Sequence, residues 1–307
     1  MNTSHFGKRL SVWMAVALVA LSCSQPEKKR VEYPKWSFEK AGVKPTSHAK
    51  EKREIKPLTV WIGPGMAKSY AGAGVLAVLE NERIPLKKIG GTGFGAVLAL
   101  LYAANPSINR FDWALLKLET DYLLPKPTSW IKRLGSWVGV FDRESKVREN
   151  LTKLFKNKTF ENLRFPVSVL VINNGRKEIV EEGLVLDAAL AALDLESLYK
   201  LDPEEMSFLD DPYSFDEDEP LLLVNPLAKL EGVEFKVENE DERILSKKFI
   251  RASNSLNDLN EHVTILIEPE FSSTGIFDFS SKNRSTYLGK KAATQKLSEI
   301  KKAVGLK

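Results

Sequence analysis

The chain has 307 residues, of which 43% are hydrophobic and 28% charged, a balance typical of globular proteins. This length suits one large α/β domain with a short appendage. The formal net charge is only +4, and no RNA-binding, zinc-finger or helix-turn-helix pattern occurs. A nucleic-acid partner is therefore not expected.

The N-terminus has the composition of a secretory signal sequence. Lys8 and Arg9 precede an apolar run of about a dozen residues, SVWMAVALVALS, and small residues follow. A transmembrane helix needs about 20 apolar residues, so this run is a poor candidate for one. Residues 1–22 are therefore predicted to be a signal peptide.

Cys23, which ends this segment, is the only cysteine, so no intramolecular disulfide is possible. The sequence Ala20-Leu21-Ser22-Cys23 resembles the bacterial lipoprotein box, in which the cysteine is acylated, although Ala20 stands where a larger aliphatic residue is usual. The alternative is a chance cysteine in a signal peptide that is uncleaved or not lipidated. Because Ser24 and not Asp follows, the resemblance implies a bacterial envelope protein on the periplasmic face of the outer membrane. Its first partner would be the membrane that holds Cys23.

Residues 23–57 are predicted to be a lipidated N-terminus and a flexible basic tether. The stretch is polar and rich in lysine, contains Pro26, Pro34, Pro45 and Pro57, and has too few apolar residues to fold. Its basic residues could lie along anionic headgroups, at up to about 1 kcal/mol for each. The composition favours the other interpretation, a solvated spacer.

After the tether, strand and helix patterns alternate, which favours a mainly parallel sheet covered on both faces. Residues 58–307 are therefore predicted to form one domain with a three-layer α/β/α fold. Asp202–Glu219 is predicted to be an acidic loop. Strands are predicted at Leu58–Ile62, Lys88–Ile89, Phe165–Ile172, Leu221–Val224 and Val263–Ile267, and helices at Tyr70–Asn81, Gly95–Ala104, Ser145–Lys156, Leu186–Leu193 and Thr286–Val304.

The segment Gly91-Thr92-Gly93-Phe94-Gly95 has the form of a nucleophile elbow, a sharp strand-to-helix turn that holds a serine in acyl hydrolases. The two outer glycines and the following helix are present, but Gly93 occupies the serine position. Upstream, Gly63-Pro64-Gly65-Met66-Ala67-Lys68-Ser69 follows the first strand. It matches neither the P-loop pattern nor G-x-G-x-x-G.

These residues resemble the patatin-like phospholipases in their order along the chain. The family has a glycine-rich oxyanion loop with Arg or Lys, then a helix containing G-V-L-x-x-L, then I-P, G-T-S-x-G-A and L-Y-A. The matching segments are Gly63, Gly65 and Lys68 with Met66 between them, Gly74–Leu79, Ile84-Pro85, Gly91–Ala96 and Leu101–Ala103. The resemblance continues more loosely to residue 304 and implies the patatin fold.

The resemblance implies hydrolysis of lipid acyl esters by a Ser-Asp dyad without histidine. The serine position is Gly93. Counting back from Val224-Asn225-Pro226-Leu227, which resembles a family segment, places the aspartate at Pro220, and no Asp-Gly dipeptide occurs in the chain. The family's S-x-A-x-P segment is replaced by Ala192–Glu196. Both dyad positions are therefore interpreted as degenerate.

The favoured hypothesis is a membrane-tethered patatin-like lipoprotein that has lost hydrolysis and has kept a crevice for a lipid or acyl chain, or a surface for an unidentified protein partner. One alternative is an active lipid acyl hydrolase with a non-standard site; Thr92, Asp216 and Asp218 are the residues considered, and a solvated acidic loop is the favoured account of the aspartates. Another alternative is a purely structural envelope lipoprotein. No cofactor and no metal site are expected. Lys68 could bind a headgroup phosphate, but a surface lysine is the favoured interpretation.

Overall fold

The computed structural model describes residues 55–105, 107–120, 136–173, 176–193, 219–227, 243–244, 246–248, 250, 263–271 and 275–306, with the backbone alone for 136–144. The predicted signal peptide, Cys23 and almost all of the tether lie outside these residues. So do all but the last residue of the predicted acidic loop, with Asp216 and Asp218, and the three histidines.

Six strands form one sheet in the order β4-β3-β2-β1-β5-β6. Neighbouring strands pair in parallel except β3 and β4, which pair antiparallel. The strands are β1 Leu58–Ile62, β2 Leu86–Thr92, β3 Val167–Asn173, β4 Arg176–Val180, β5 Leu221–Val224 and β6 Ile265–Ile267. The predicted α/β class with a mainly parallel sheet is confirmed.

The helices follow the strands and enclose the sheet. They are α1 Tyr70–Asn81, α2 Phe94–Ala103, α3 Ile108–Lys117, α4 Ser136–Phe155, α5 Val185–Ala192, α6 Lys282–Gln295 and α7 Leu297–Ala303. A short 3-10 turn, Met66–Ser69, leads into α1. Every residue of α2 is buried, as its apolar sequence predicts.

The sheet is buried on both faces at β1 and β5, as a three-layer α/β arrangement requires. On one face Ile62 packs against Gly72 of α1, where a Cβ would lie 2.7 Å from the isoleucine side chain. On the opposite face the Trp61 ring covers Gly90 and would meet a Cβ there at 2.2 Å. Small residues therefore set how closely the layers approach.

Helices α1 and α6 cross in close contact through two glycines. A Cβ on Gly74 would lie 2.0 Å from the carbonyl oxygen of Thr286, and one on Gly289 would lie 2.0 Å from that of Ala71. Real Cβ atoms do not approach this closely, so the crossing depends on both glycines.

The sequence analysis did not predict strand β4 or helix α3, and several predicted boundaries differ from those of the structure. The edge strand β4 has the polar sequence RKEIV, which shows no apolar alternation. Helix α3 is only half-buried; its N-cap Ser107 accepts a hydrogen bond from the Arg110 amide at 3.5 Å. Helix α4 begins earlier than expected, and the predicted C-terminal helix is two helices separated at Lys296.

The pairing register aligns the carboxyl ends of β1, β2 and β5 side by side. Ile62 pairs with Gly91 on one side and with Val224 on the other. The chain continues from β1 to β2 in one direction and from β5 to β6 in the other, so the sheet has a topological switch point between β1 and β5. Ligands of open α/β sheets bind outside the carboxyl ends of the strands at such a point.

Candidate functional site

Gly93 forms a sharp turn between β2 and α2. Its backbone has φ 57° and ψ −131°, a conformation that is costly for a residue with a side chain. Its carbonyl oxygen accepts hydrogen bonds from the amides of Ala96 at 3.1 Å and Val97 at 3.4 Å, which start the helix. The backbone thus has the predicted strand-turn-helix form of an elbow.

The outer glycines of the elbow permit close backbone contacts. A Cβ on Gly91 would lie 2.7 Å from the Ala96 nitrogen, and one on Gly95 would lie 2.5 Å from the Ile62 carbonyl oxygen. At Gly93 itself, the nearest atom to a Cβ would be the Ala192 carbonyl oxygen at 4.0 Å. A serine side chain therefore has space at the central position and is opposed only by the backbone conformation.

The loop after β1 lies beside the elbow. The Gly63 amide donates to the Val224 carbonyl at 2.9 Å, and the amides of Ala67 and Lys68 donate to the carbonyls of Ile276 and Gly65. Within the described part of the chain, the N–H groups of Gly65 and Met66 donate to no backbone carbonyl. Met66 has φ 45°, a left-handed conformation that is strained for a non-glycine residue.

The side chain of Lys68 is buried, with only 1% of the residue exposed, so its interpretation as a surface lysine is wrong. Its Nζ atom lies 4.3 Å from the centroid of the Phe271 ring. Burial lowers the pKa of Lys68 to about 8; the Asp278 carboxylate opposes this change and Arg284 adds to it. The sequence did not predict the burial of Lys68 because the apolar residues that enclose this loop come from a distant part of the chain.

Pro220 lies at the amino end of β5, whereas the elbow follows the carboxyl end of β2. It comes immediately before β5, and its carbonyl accepts a hydrogen bond from the Thr59 amide at the start of β1. Four residues of strand separate it from the carboxyl edge, about 13 Å. The structure therefore does not bring Pro220 and Gly93 together.

Asn225 is the residue that follows β5 at the carboxyl edge. It is fully buried; its amide donates to the Ile267 carbonyl at 2.9 Å, and its Oδ1 accepts from the Leu227 amide at 3.3 Å. The next residue, Pro226, packs against Gly65, where a Cβ would lie 2.6 Å from the proline Cγ. With β1 between β5 and β2, Asn225 and the elbow are two strand spacings apart, about 10 Å.

An aromatic cluster, which the sequence did not predict, supports the loop and the elbow. The ring of Phe94 lies edge-on to Tyr70 at 5.1 Å and to Phe279 at 5.3 Å between centroids. The Tyr70 hydroxyl is buried without a hydrogen-bond partner among the described residues, and burial raises the pKa of Tyr70. Phe94 and Tyr70 stand next to the glycine motifs, which is the only sequence signal for this cluster.

Thr92 is the remaining hydroxyl at the turn. It is buried, and its Oγ1 has no hydrogen-bond partner within the described ranges. Successive side chains of a strand point to opposite faces, so Thr92 does not share the direction of the position that follows it. Helix α5 ends at Ala192, whose carbonyl oxygen borders Gly93.

Metal ligands and membrane spans were sought throughout the described segments. No group of three or more His, Cys, Asp or Glu residues there is placed to hold a metal ion. In the same segments, no helix combines the length and the apolar character needed to cross a membrane.

Comparison with known proteins agrees with the resemblance in the sequence. A family model described as patatin-like phospholipase matches residues 62–224, more than half of the chain. The chain is also similar to crystal structures of the type III effector protein ExoU, at 14% identity and a TM-score of 0.41, covering 81% of this chain and 54% of that one. A complex of SpcU with ExoU from Pseudomonas aeruginosa gives 15% identity, a TM-score of 0.42 and coverages of 82% and 53%. The chain thus spans about half the length of these proteins, and nothing about activity follows from such weak overall similarity.

Proposed function

The chain belongs to the patatin-like phospholipase family, and on that premise we propose that it is a membrane-tethered member that has lost acyl hydrolysis but has kept a lipid-binding crevice. The observation that carries this proposal is Gly93, which adopts the turn of an elbow without a side chain. The atom that would attack an ester carbonyl is therefore missing. In serine hydrolases that lack catalytic residues, the remaining oxyanion groups give only about 10³- to 10⁴-fold acceleration.

The second half of the dyad is assigned to Asn225 in place of Pro220. Asn225 stands at the correct edge of the sheet, directly after a buried strand and beside the loop that carries Gly65. An asparagine has nearly the shape of an aspartate, but it is uncharged at all ordinary pH values. It would therefore hold the local backbone without acting as a base.

Retention of the crevice is supported by features that hydrolysis alone does not explain. The close contacts at Gly91, Gly95 and Gly65 persist, and the loop after β1 still has amides without backbone partners in the described region. Phe94 and Tyr70 pack edge-on in the apolar core beside them. Such a combination suits an acyl chain whose carbonyl or headgroup meets the loop.

The membrane location rests on the N-terminal sequence. We infer that Cys23 is acylated and that the following residues connect the domain to the periplasmic face of a bacterial outer membrane. An unidentified protein partner and a purely structural envelope role are compatible with the same anchor. Bound lipid would separate the proposed function from a structural role.

One observation favours the second candidate, an active acyl hydrolase. Lys68 is a buried amine whose pKa is lowered to about 8, so near neutral pH part of it is uncharged and can take the proton of a water that attacks the ester. If Lys68 performs the reaction, the wild-type protein should hydrolyse nitrophenyl esters, and Lys68→Met should abolish this activity. We expect no such turnover.

A repair experiment tests the loss of the dyad. The double variant Gly93→Ser, Asn225→Asp restores a hydroxyl and a carboxylate, so it should gain labelling by a fluorophosphonate probe and measurable hydrolysis of short-chain esters. The matched control is Gly93→Ser, Pro220→Asp, which carries the same serine and places its aspartate at the opposite edge. It should remain unlabelled.

The outcomes are distinguishable. Clear turnover of phospholipids by the wild-type protein would contradict the loss of hydrolysis. Labelling of the Pro220→Asp control alone would contradict the assignment of Asn225. Mass spectrometry of lipid that co-purifies with the wild-type protein tests the crevice separately, and a protein free of lipid that also fails to bind added fatty acid would contradict lipid binding.

A further inference from the structure

The three most exposed large apolar or aromatic side chains of the described residues lie on two helices. Trp113 is 65% exposed and Leu116 is 62% exposed, both on α3, and Tyr287 on α6 is 64% exposed. Other exposed apolar side chains occur singly elsewhere, as on most protein surfaces. Their concentration on two helices indicates an interaction surface.

Each helix presents these residues on one side. In α3 the buried positions are Phe111, Ala114 and Leu115, and the exposed arc runs from Asp112 through Leu116 and Trp113 to Lys117. In α6 the buried positions are Ser285, Gly289 and Ala293, and Tyr287 lies near the middle of the opposite side. Both exposed sides are therefore set by the packing of the helices and are not accidental orientations of single side chains.

The two sides are neighbours. Both helices contact α1: the Ile108 amide at the start of α3 donates to Glu80 Oε1 at 3.1 Å, and α6 crosses α1 at Gly74. In agreement, Lys290 of α6 opposes the rise that burial causes in the pKa of Asp112 of α3. Trp113, Leu116 and Tyr287 thus lie on the exposed sides of two neighbouring helices, which together we call the α3–α6 surface.

The charge of the α3–α6 surface is strongly biased. Its exposed residues include one acidic residue, Asp112, and five basic residues: Arg110, Lys117, Arg284, Lys290 and Lys291. Helix α6 contains no acidic residue at all. This bias differs from the chain as a whole, in which 45 lysines and arginines nearly balance 41 acidic residues.

Tryptophan, tyrosine and leucine among lysines and arginines are the side chains of proteins that rest on a membrane. Aromatic rings prefer the headgroup level, long basic side chains extend to the phosphates, and each basic residue near an anionic surface contributes about 1 kcal/mol. We propose that the α3–α6 surface docks on an anionic lipid bilayer. This inference goes beyond the proposed function, because it requires neither an occupied crevice nor acylation of Cys23.

A site-specific fluorescent probe tests this docking in the full chain. Cys23→Ser removes the only cysteine, and Trp113→Cys then provides one labelling position for an environment-sensitive dye. On addition of vesicles made of equal parts phosphatidylglycerol and phosphatidylcholine, the dye should shift to the blue and brighten several-fold. Pure phosphatidylcholine vesicles should give little response, and added salt should reverse the signal.

The matched control places the dye at Ile179→Cys in the same background. Ile179 is an exposed apolar residue on β4, the edge strand at the other end of the sheet from β6. Its dye should not respond to either vesicle. A response of equal size at both positions would show adsorption without orientation and would overturn the proposal.

A charge test uses the same dye at position 113. Lys290→Gln with Lys291→Gln should weaken the vesicle response by about 30-fold in lipid concentration, the effect expected for two basic residues. Arg176→Gln with Lys177→Gln on β4 should leave it unchanged. If the protein sediments with vesicles but the dye at position 113 does not respond, the proposal is overturned. A dye signal that depends on protein concentration without vesicles would also overturn it, because the occupant would then be a second copy of the chain.

Discussion

At position 93 the absence of a side chain has a structural benefit as well as a chemical cost. A serine in this backbone conformation is strained by about 1–3 kcal/mol, and a glycine avoids this strain. The φ of 57° at Gly93 therefore persists without penalty. The shape of the elbow is separable from its chemistry, because the close contacts of Gly91 and Gly95 fix it on either side.

Lys68 makes the stability of the protein depend on pH in the alkaline range. Its folded-state pKa of about 8 lies below the ordinary value of 10.5, so between these values the unfolded chain binds more protons and stability rises with pH. The rise should approach about 3 kcal/mol. In Lys68→Met it should disappear, and the variant should be more stable than the wild type at pH 7.

Urea denaturation at pH 7, 8, 9 and 10 measures this effect. The informative quantity is the difference between the two proteins, since other groups that titrate in this range contribute equally to both. Parallel stability profiles for the wild type and Lys68→Met would contradict the prediction.

The sequence predicted the form of the elbow, but the acidic position that it predicts, Pro220, lies away from Gly93 in the structure. The elbow is local, because glycine spacing, strand and helix all occur within a few consecutive residues. The partner position depends on which end of a distant strand faces the elbow; Pro220 precedes β5, whereas Asn225 follows it.

Among the elements, the crossing of α1 and α6 should be the most sensitive to a single methyl group. In Gly289→Ala the new Cβ would lie 2.0 Å from the Ala71 carbonyl oxygen, so the helices must separate. Overpacking of this kind costs about 1–3 kcal/mol or more, which should lower the thermal midpoint by several degrees. Thermal unfolding followed by circular dichroism measures it.

The control for this prediction is Thr294→Ala on the exposed side of α6. Among the described residues its hydroxyl bonds to the Lys290 carbonyl alone, one turn earlier, so its loss should change the midpoint little. Equal midpoints for the wild type and Gly289→Ala would show that the crossing tolerates a wider separation.

Elements with a strong apolar pattern were predictable, and elements with a mixed pattern were not. The bounds of β1, α1 and β5 agree with the sequence because each is an apolar run with clear ends. Strand β4 escaped prediction because it pairs only with β3 and exposes most of its side chains. In the last helical region the periodicity continues past Lys296 although the backbone turns there, so the pattern could not reveal two helices.

For the whole molecule, the N-terminal sequence predicts attachment to a membrane through Cys23. In a bacterial host, Cys23→Ser should abolish incorporation of labelled palmitate and move the protein from the detergent phase to the aqueous phase on detergent partitioning. The acyl chains contribute about 0.8 kcal/mol of membrane-binding free energy for each buried methylene, so their loss should remove most of the membrane affinity. Palmitate incorporation by the variant would contradict this prediction.

The overall architecture was predictable because it follows from the alternation of strands and helices, which the sequence displays throughout. The α3–α6 surface was not predictable in the same way. Trp113 and Tyr287 are far apart in the chain, and only the folded arrangement shows that both are exposed and that their helices contact the same helix, α1.

The proline that packs against Gly65 also affects the chemical ageing of the protein. Asparagine residues deamidate to aspartate when the nitrogen of the next residue attacks their side-chain amide. Pro226 follows Asn225 and has no N–H group, so this route is closed. The side chain of Asn225 should therefore be protected from this reaction and keep its amide far longer than an asparagine that is followed by glycine.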